Sequence, residues 1–311
     1  MLRLVDGPDP RPAGDEVVVA VAGSGVNRAD LLQREGRYPP PPGAPDWPGL
    51  EVAGEVVAAG PTAAWSVGDR VAALLDGGGY ADLARVRSGL VLPAPDDVPL
   101  VDAAALPEAC CTVWATLVTS AGLTAGETVL VHGGSGGIGT TAIQVAGALG
   151  ARVVATAGGP ERAARCLALG AHVVVDHRAE DFVAAVRAAT DGRGADVVLD
   201  VVGGAYLGRN VAALATGGRL EVIGLQQGRR GELDLAGLMA RRGRLHAATL
   251  RARPYAEKAA IVAAVREHVW PMVADGRVRP VVHERIPLAD GARAHRLLES
   301  GQVFGKLVLV P

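Results

Sequence analysis

One stretch constrains this chain more than any other. The apolar triplet Val129-Leu130-Val131 runs through His132-Gly133-Gly134-Ser135-Gly136-Gly137-Ile138-Gly139 and continues as an amphipathic segment to Leu149. A short continuous apolar run reads as a strand covered on both faces. Ile138, Ala142, Val145 and Leu149 recur at helical spacing, and Gly150 follows as a helix stop. In this strand-turn-helix context Gly134-x-Gly136-x-x-Gly139 is a dinucleotide fingerprint. The glycines let backbone approach a pyrophosphate, while the helix N-terminus supplies free N–H groups and a positive dipole end. A glycine turn with no ligand is the alternative, and the strand-helix segments that follow weigh against it.

From about 109 to 249, Val153-Val154-Ala155, Val173-Val174-Val175, Val197 to Val202 and Leu220 to Ile223 alternate with helical stretches, one opening at Pro160 and stopping at Gly170. This alternation predicts an α/β fold with a doubly wound, right-handed parallel sheet. Residues 1–108 differ. Glu16 to Val21, Glu51 to Ala58 and Asp69 to Leu75 are short Val-rich runs bounded by Gly, Pro and Asp, as in antiparallel strands of a small β-barrel or sandwich. Gly36 to Gly43, with its consecutive prolines, is an extended loop. Residues 250–311 revert to mixed structure and return to the first domain. Helices are expected near Tyr255 to Ala274 and Leu288 to Ser300, and strands near Val278 to His283 and Lys306 to Val310. A length of 311 residues suits two such domains.

With aromatic residues at 3%, the core must be built from Ala, Val and Leu. Lys and Arg number 31 against 33 Asp and Glu, with no block of five like charges, which argues against a nucleic-acid or anionic-membrane footprint. Ala109 to Gly126 and Thr128 to Ala151 lack charges and meet a crude length test for membrane spans, but their Thr, Ser, His and Gly content marks buried α/β segments. The apolar start Met1 to Val5 breaks off at Asp6-Gly7-Pro8, so no secretory signal is read. Cys110, Cys111 and Cys166 have no CxxC spacing and suit a reducing, cytoplasmic setting.

The choice of dinucleotide turns on the end of the second strand, where an NAD site holds Asp or Glu against the ribose. Here Arg152 to Thr156 ends in Ala157-Gly158-Gly159-Pro160, and Arg162 follows where a 2′-phosphate needs a cation, which favours NADPH. The alternatives are a solvated Arg162 beside Glu161, and a His177 that is a surface loop residue rather than a second phosphate contact.

Gly126-Glu127-x-x-Leu130-x-x-x-Gly134-Ser135-Gly136-Gly137-x-Gly139, followed by Gln144, resembles the signature of quinone oxidoreductases and zeta-crystallins, in the zinc-independent branch of the medium-chain dehydrogenase/reductase superfamily. Gly25 to Asp30, Tyr38-Pro39-Pro40-Pro41, Gly49 to Val56, Gly68 to Val71 and Phe304 to Lys306 resemble family segments in the same order, nearest to NADPH quinone oxidoreductases of the p53-inducible type. The resemblance implies a GroES-like β-barrel catalytic domain beside a Rossmann domain, and a homodimer formed through an edge strand near Leu245 to Leu250. It also implies NADPH held by Thr112, Gly134, Ser135, Gly136, Gly137, Ile138, Gly139, Gly158, Arg162, His177, Gly203, Gly224, Leu225, Phe304 and Lys306. His177 stands where relatives carry Tyr.

By the same resemblance Asn27, Asp30 and Tyr38 are catalytic candidates lining a cleft between the domains. Tyr38 either hydrogen-bonds an acceptor oxygen, stacks on a ring or packs on the proline run. Asp30 either lines the cleft or caps a helix beginning near Ala29. Aligning the motifs puts Asn27, Leu50 and Glu108 at the positions of three catalytic zinc ligands, and leucine cannot bind zinc. The implied chemistry is metal-free hydride delivery from NADPH to a quinone. Reduction of an enone or enoyl thioester is one alternative, and a non-catalytic, crystallin-like NADPH-binding protein is another. Cys110 and Cys111 read as small buried apolar residues near the cofactor. Relatives carry residues ahead of this start, so either the start is placed late or the first domain lacks an edge strand.

Overall fold

The computed structural model describes residues 2–311; Met1, the first residue of the apolar start, lies outside them. The chain divides into two compact units, Met1–Cys111 with Arg251–Pro311, and Thr112–Leu250. In chain order the strands are β1 (Glu16–Val26), β2 (Glu51–Ala59), β3 (Arg70–Leu74), β4 (Leu83–Arg87) and β5 (Val91–Pro93). Then come β6 (Thr128–Val131), β7 (Arg152–Ala157), β8 (Val173–Asp176), β9 (Ala195–Asp200), β10 (Leu214–Val222), β11 (Arg244–Ala247), β12 (Val282–Pro287) and β13 (Lys306–Val310). Leu2 to Ala13 forms neither helix nor strand.

The first unit is one sheet in the order β12-β13-β1-β2-β3-β5, with β4 also paired to β1. β1 serves three partners: β4 along Glu16 to Ala20, β2 along Val17 to Ser24, and β13 along Ser24 to Val26. Register shifts at Val18/Val19 and Val21/Gly23 bend it, which lets one strand reach all three. The Val-rich run Glu16 to Val21 is only its first half. The second half is glycine-rich because space is lacking: a Cβ on Gly23 would lie 2.7 Å from the Val101 carbonyl oxygen.

β4 is not anticipated from sequence: it is only five residues long, with Ala84 and Val86 buried and Arg85 and Arg87 exposed. The expected helix through Ala274 is broken at Val269 into Tyr255–His268 and Trp270–Ala274. Pro271 has no N–H to continue the ladder, and its ring clashes with the preceding turn. The strand expected near Val278 lies at Val282–Pro287 instead. Val278 still finishes the helix, giving its N–H to Met272 O at 2.9 Å, and Pro280 follows.

The second unit is a wholly parallel sheet in the order β11-β10-β9-β6-β7-β8. It is the doubly wound sheet that the strand-helix alternation predicts. The order reverses between β6 and β9, the kind of switch point at which such sheets bind ligands outside their carboxyl ends. Leu130, Val154, Val175, Val198 and Leu220 pack with Phe182 in its core. Each buried Val or Leu contributes about 1.5–3 kcal/mol. Arg219 closes the bottom of the unit, giving two N–H groups to the Glu127 carboxylate at 2.7 and 2.8 Å and one to Ala121 O at 2.8 Å. Those hydrogen bonds hold the Glu127 carboxyl below its usual range.

β11 is an edge strand, and all four of its residues are exposed. Leu100–Ser120 is long and apolar enough to cross a membrane by length and composition, and 72% of that window is buried in the folded chain. Its last part, Trp114–Ser120, is a π-helix that sequence periodicity does not reveal.

Candidate active site

β6 ends at Val131, the chain turns through His132 to Gly136, and the helix Gly137–Ala148 starts with Gly136 as its N-cap. Gly133 has a φ of +67°, and Gly134 N–H bonds Thr156 O at 2.8 Å, tying the turn to β7. A Cβ on Gly139 would strike the Gly133 carbonyl oxygen and lie 2.6 Å from Gly134 Cα. On Gly136 it would meet only the Gly133 oxygen, at 3.4 Å. Gly139 is therefore required by the packing of helix on turn, whereas Gly136 keeps open space over the helix N-terminus.

His132 is fully buried and holds the turn from beneath. Its Nε2–H donates to Asn210 Oδ1 at 2.8 Å, leaving Nδ1 to accept from Thr156 Oγ1 at 3.2 Å. Thr156 Oγ1 also accepts from Gly133 N–H at 3.2 Å. Burial lowers the His132 pKa to about 4, so the ring is neutral. At the end of β9 buried Asp200 accepts from Val202 N–H at 2.6 Å and Gly203 N–H at 3.1 Å, fixing the turn at Gly203. Gly224 packs against this turn, where a Cβ would lie 2.7 Å from Val201 O, and Leu225 is 51% exposed beside it.

At the end of β7 the structure differs from the sequence expectation in two ways. A carboxylate does stand there, supplied by the neighbouring strand: Asp176 of β8 pairs with Ala157. It accepts from Arg178 N–H at 3.1 Å, and hydrogen bonds from the Arg178 and Gly159 backbones hold its pKa below the usual range. It escapes a search along β7 because only sheet register brings it alongside. The second difference is Arg178, which sequence did not single out. Its guanidinium lies over Gly158, where a Cβ would be 3.0 Å from Nε. Arg162 sits on the first turn of the helix Pro160–Ala168, and His177 is exposed just past β8.

In the first unit Asn27, Glu51 and Lys306 meet. Glu51 is fully buried and pairs with the Lys306 ammonium, itself 5% exposed. Asn27 Nδ2–H donates to Glu51 Oε1 at 2.9 Å, and its Oδ1 accepts from Lys306 Nζ at 2.6 Å. Lys306, expected on nicotinamide or phosphate, thus makes its hydrogen bonds inside the unit.

Asp30 is equally buried and serves the helix Arg28–Arg34. It accepts from Asn27 N–H at 2.7 Å, Gly49 N–H at 3.0 Å and Tyr80 O–H at 3.1 Å. This is the capping alternative, with Asp30 at the third helical position reaching back to the N-cap. Burial raises its pKa to about 6, still leaving a carboxylate at neutral pH for its three donors. His295 Nε2 lies 3.1 Å from the Tyr80 hydroxyl.

The aromatic joined to this network is therefore Tyr80. Tyr38 is half-buried against Arg251, whose Cζ is 5.4 Å from the ring centroid and whose Nη1–H donates to Tyr38 O at 3.4 Å. Glu51, Tyr80, His295 and Arg251 carry no local sequence signal, each being isolated in the chain from its partners.

Thr112 lies on the helix Pro107–Val113, and Phe304 is 3% exposed just before β13. Leu50, at an expected zinc-ligand position, is buried hydrocarbon. Among the described residues no group of three His, Cys, Asp or Glu side chains is placed to hold a metal ion. Cys110 and Cys111 are buried, and burial pushes both thiols well above the usual range, as suits apolar packing.

The alcohol dehydrogenase GroES-like domain family matches residues 13–96, and the zinc-binding dehydrogenase family matches residues 169–309. A quinone oxidoreductase of Rattus norvegicus is 31% identical over 309 residues, covering 97% of this chain and 91% of that protein. A phenolphthiocerol/phthiocerol polyketide synthase of Mycobacterium tuberculosis is 35% identical over 301 residues, 96% of this chain and 14% of that protein. The Escherichia coli quinone oxidoreductase complexed with NADPH superposes with a TM-score of 0.88 at 29% identity, covering 99% of this chain and 95% of that one.

Proposed function

The chain belongs to the medium-chain dehydrogenase/reductase superfamily, with quinone oxidoreductase homologues along its length, and from that premise we propose that it is an NADPH-dependent quinone reductase. The observation that carries this reading is the Gly133–Gly139 turn, closed by packing at Gly139 and open at Gly136 over a helix N-terminus. Such a cradle fits a pyrophosphate. The first-turn N–H groups of the helix would hold the phosphates. Arg178 and Arg162 would take a 2′-phosphate above Gly158, where a larger residue would collide with the guanidinium. A bound reduced nicotinamide supplies hydride, two electrons with one proton. The donor set near Asn27, Leu50 and Glu108 offers no Lewis acid to polarise a carbonyl, which favours an acceptor that is already electron-poor.

The 35% identity with a polyketide synthase favours an enone or enoyl thioester as the second reading. Following NADPH absorbance with an ortho-quinone, a para-quinone, an enone and an enoyl thioester in turn separates the two. Quinones are expected to turn over fastest. Turnover of the thioester alone would replace this reading with the second, and binding without oxidation would support a non-catalytic role.

For the cofactor, Arg178→Glu is expected to raise the KM for NADPH by about 10- to 100-fold, the worth of one hydrogen bond to a charged group. The KM for NADH should stay unchanged. Equal effects on both would assign Arg178 elsewhere and leave Asp176, the carboxylate at this strand end, as a ribose partner.

A further inference from the structure

A directed chain of hydrogen bonds runs beneath the glycine turn, and every member of it lies in the second unit. Gly133 N–H donates to Thr156 Oγ1 at 3.2 Å, the Thr156 hydroxyl donates to His132 Nδ1 at 3.2 Å, and His132 Nε2–H donates to Asn210 Oδ1 at 2.8 Å. The turn after β6 is thereby joined through β7 to the helix Leu207–Ala213, which carries Asn210. His132 and Asn210 have no exposed surface and Thr156 has 2%, so water cannot stand in for a lost bond. The ring has no freedom to turn either. Phe182 and Tyr206 meet it edge to face, with centroids 4.7 and 5.0 Å away, and its backbone N–H is held by Leu199 O of β9 at 3.0 Å.

The chain fixes backbone that faces a ligand. Gly133 and Gly134 N–H groups both go to Thr156, and the ladder of the helix Gly137–Ala148 begins with Thr140 N–H on Gly136 O at 2.8 Å. The amides ahead of Thr140 in the first turn are those a helix leaves for an anion.

We propose that His132 is a positioning residue for the dinucleotide, an inference that rests on the cofactor reading above. It acts through Thr156 and Gly133, setting the turn before a pyrophosphate arrives, so that binding need not order a glycine-rich segment. Burial, with the Arg209 and His177 charges and against the Asn210 bond, lowers its pKa to about 4. At neutral pH the Nδ1 lone pair therefore stays open to the Thr156 hydroxyl.

His132→Phe keeps a ring between Phe182 and Tyr206 but ends the chain, and Thr156→Val ends it one bond nearer the turn. Each should raise the Kd of NADPH, read by calorimetry on the whole protein, about 10-fold, as expected for one buried hydrogen bond left unmade. The Kd of NADH should rise by the same factor, because the pyrophosphate is common to both; Arg178→Glu, by contrast, should affect NADPH alone. The double variant should again stand about 10-fold above the wild type, not 100-fold, since both substitutions cut one chain. His132→Gln, whose amide can donate to Asn210 and accept from Thr156, should recover most of the affinity. A second arm uses the wild type alone. With 15N-labelled histidine, NMR should show one ring, identified by its through-space contacts to Phe182 and Tyr206, as the Nε2–H tautomer and still neutral at about pH 5. Wild-type affinity in His132→Phe, additive effects in the double variant, an effect on NADPH alone, or the Nδ1–H tautomer at that ring overturns this proposal and leaves the cofactor reading standing. A wild type that binds neither dinucleotide overturns that reading and this one with it.

Discussion

Lys306→Met is expected to destabilise the first unit by about 3–5 kcal/mol, the cost of leaving one partner of a buried ion pair uncompensated. Glu51 is fully buried and Lys306 is its cationic partner; Asn27 and Glu108 N–H are its neutral donors. Removing the ammonium leaves a buried carboxylate with two neutral donors. Glu51→Gln in the same chain removes the stranded charge, so the double variant should be more stable than Lys306→Met alone. Urea unfolding midpoints of the wild type, both single variants and the double variant measure the coupling. A Lys306→Met protein that unfolds with the wild type would mean that the Glu51–Lys306 pair adds nothing to the stability of the fold.

Gly139→Ala should abolish dinucleotide binding, weakening it by about 100-fold or more, and lower the melting temperature as well. The new methyl must displace either the Gly133 carbonyl or the helix, and misplacing a positioning element by about 1 Å costs this much. Gly136→Ala is the informative partner. Its methyl meets only one atom at 3.4 Å, so its melting temperature should stay with the wild type while NADPH affinity, read by calorimetry, falls. Normal NADPH affinity in Gly139→Ala would remove the cradle as the carrier of the functional reading.

What the sequence disclosed follows from how local each feature is. The strand, turn and helix around Gly134-x-Gly136-x-x-Gly139 lie within one short stretch, so periodicity and glycine spacing reveal them. The Glu51–Lys306 pair is separated by 255 positions, and no spacing rule reaches that far. Asp176 escaped because strand register, a tertiary property, sets it beside Ala157. Tyr80 escaped because it and its partners, Asp30 and His295, come from three separate segments. Tyr38 was a candidate instead through the family resemblance of its Tyr38-Pro39-Pro40-Pro41 segment. At Asp30 the residues alone left two roles open, and the hydrogen bonds from Asn27, Gly49 and Tyr80 show it capping the helix.

The first sheet is sewn from both ends of the chain, with β13 inserted between β12 and β1. On a ribosome this imposes an order of events. Residues 112–250 emerge as one uninterrupted run and hold every strand of their own sheet. The first 111 residues emerge earlier but must wait for the last strand to be released. Until then the inner edge of β1 is unpaired at Ser24 to Val26, and Glu51 has no countercharge. The segment made first is therefore the last to be finished, and a nascent chain stalled before Lys306 exposes to chaperones and proteases the half of the protein that carries Asn27, Glu51 and Glu108.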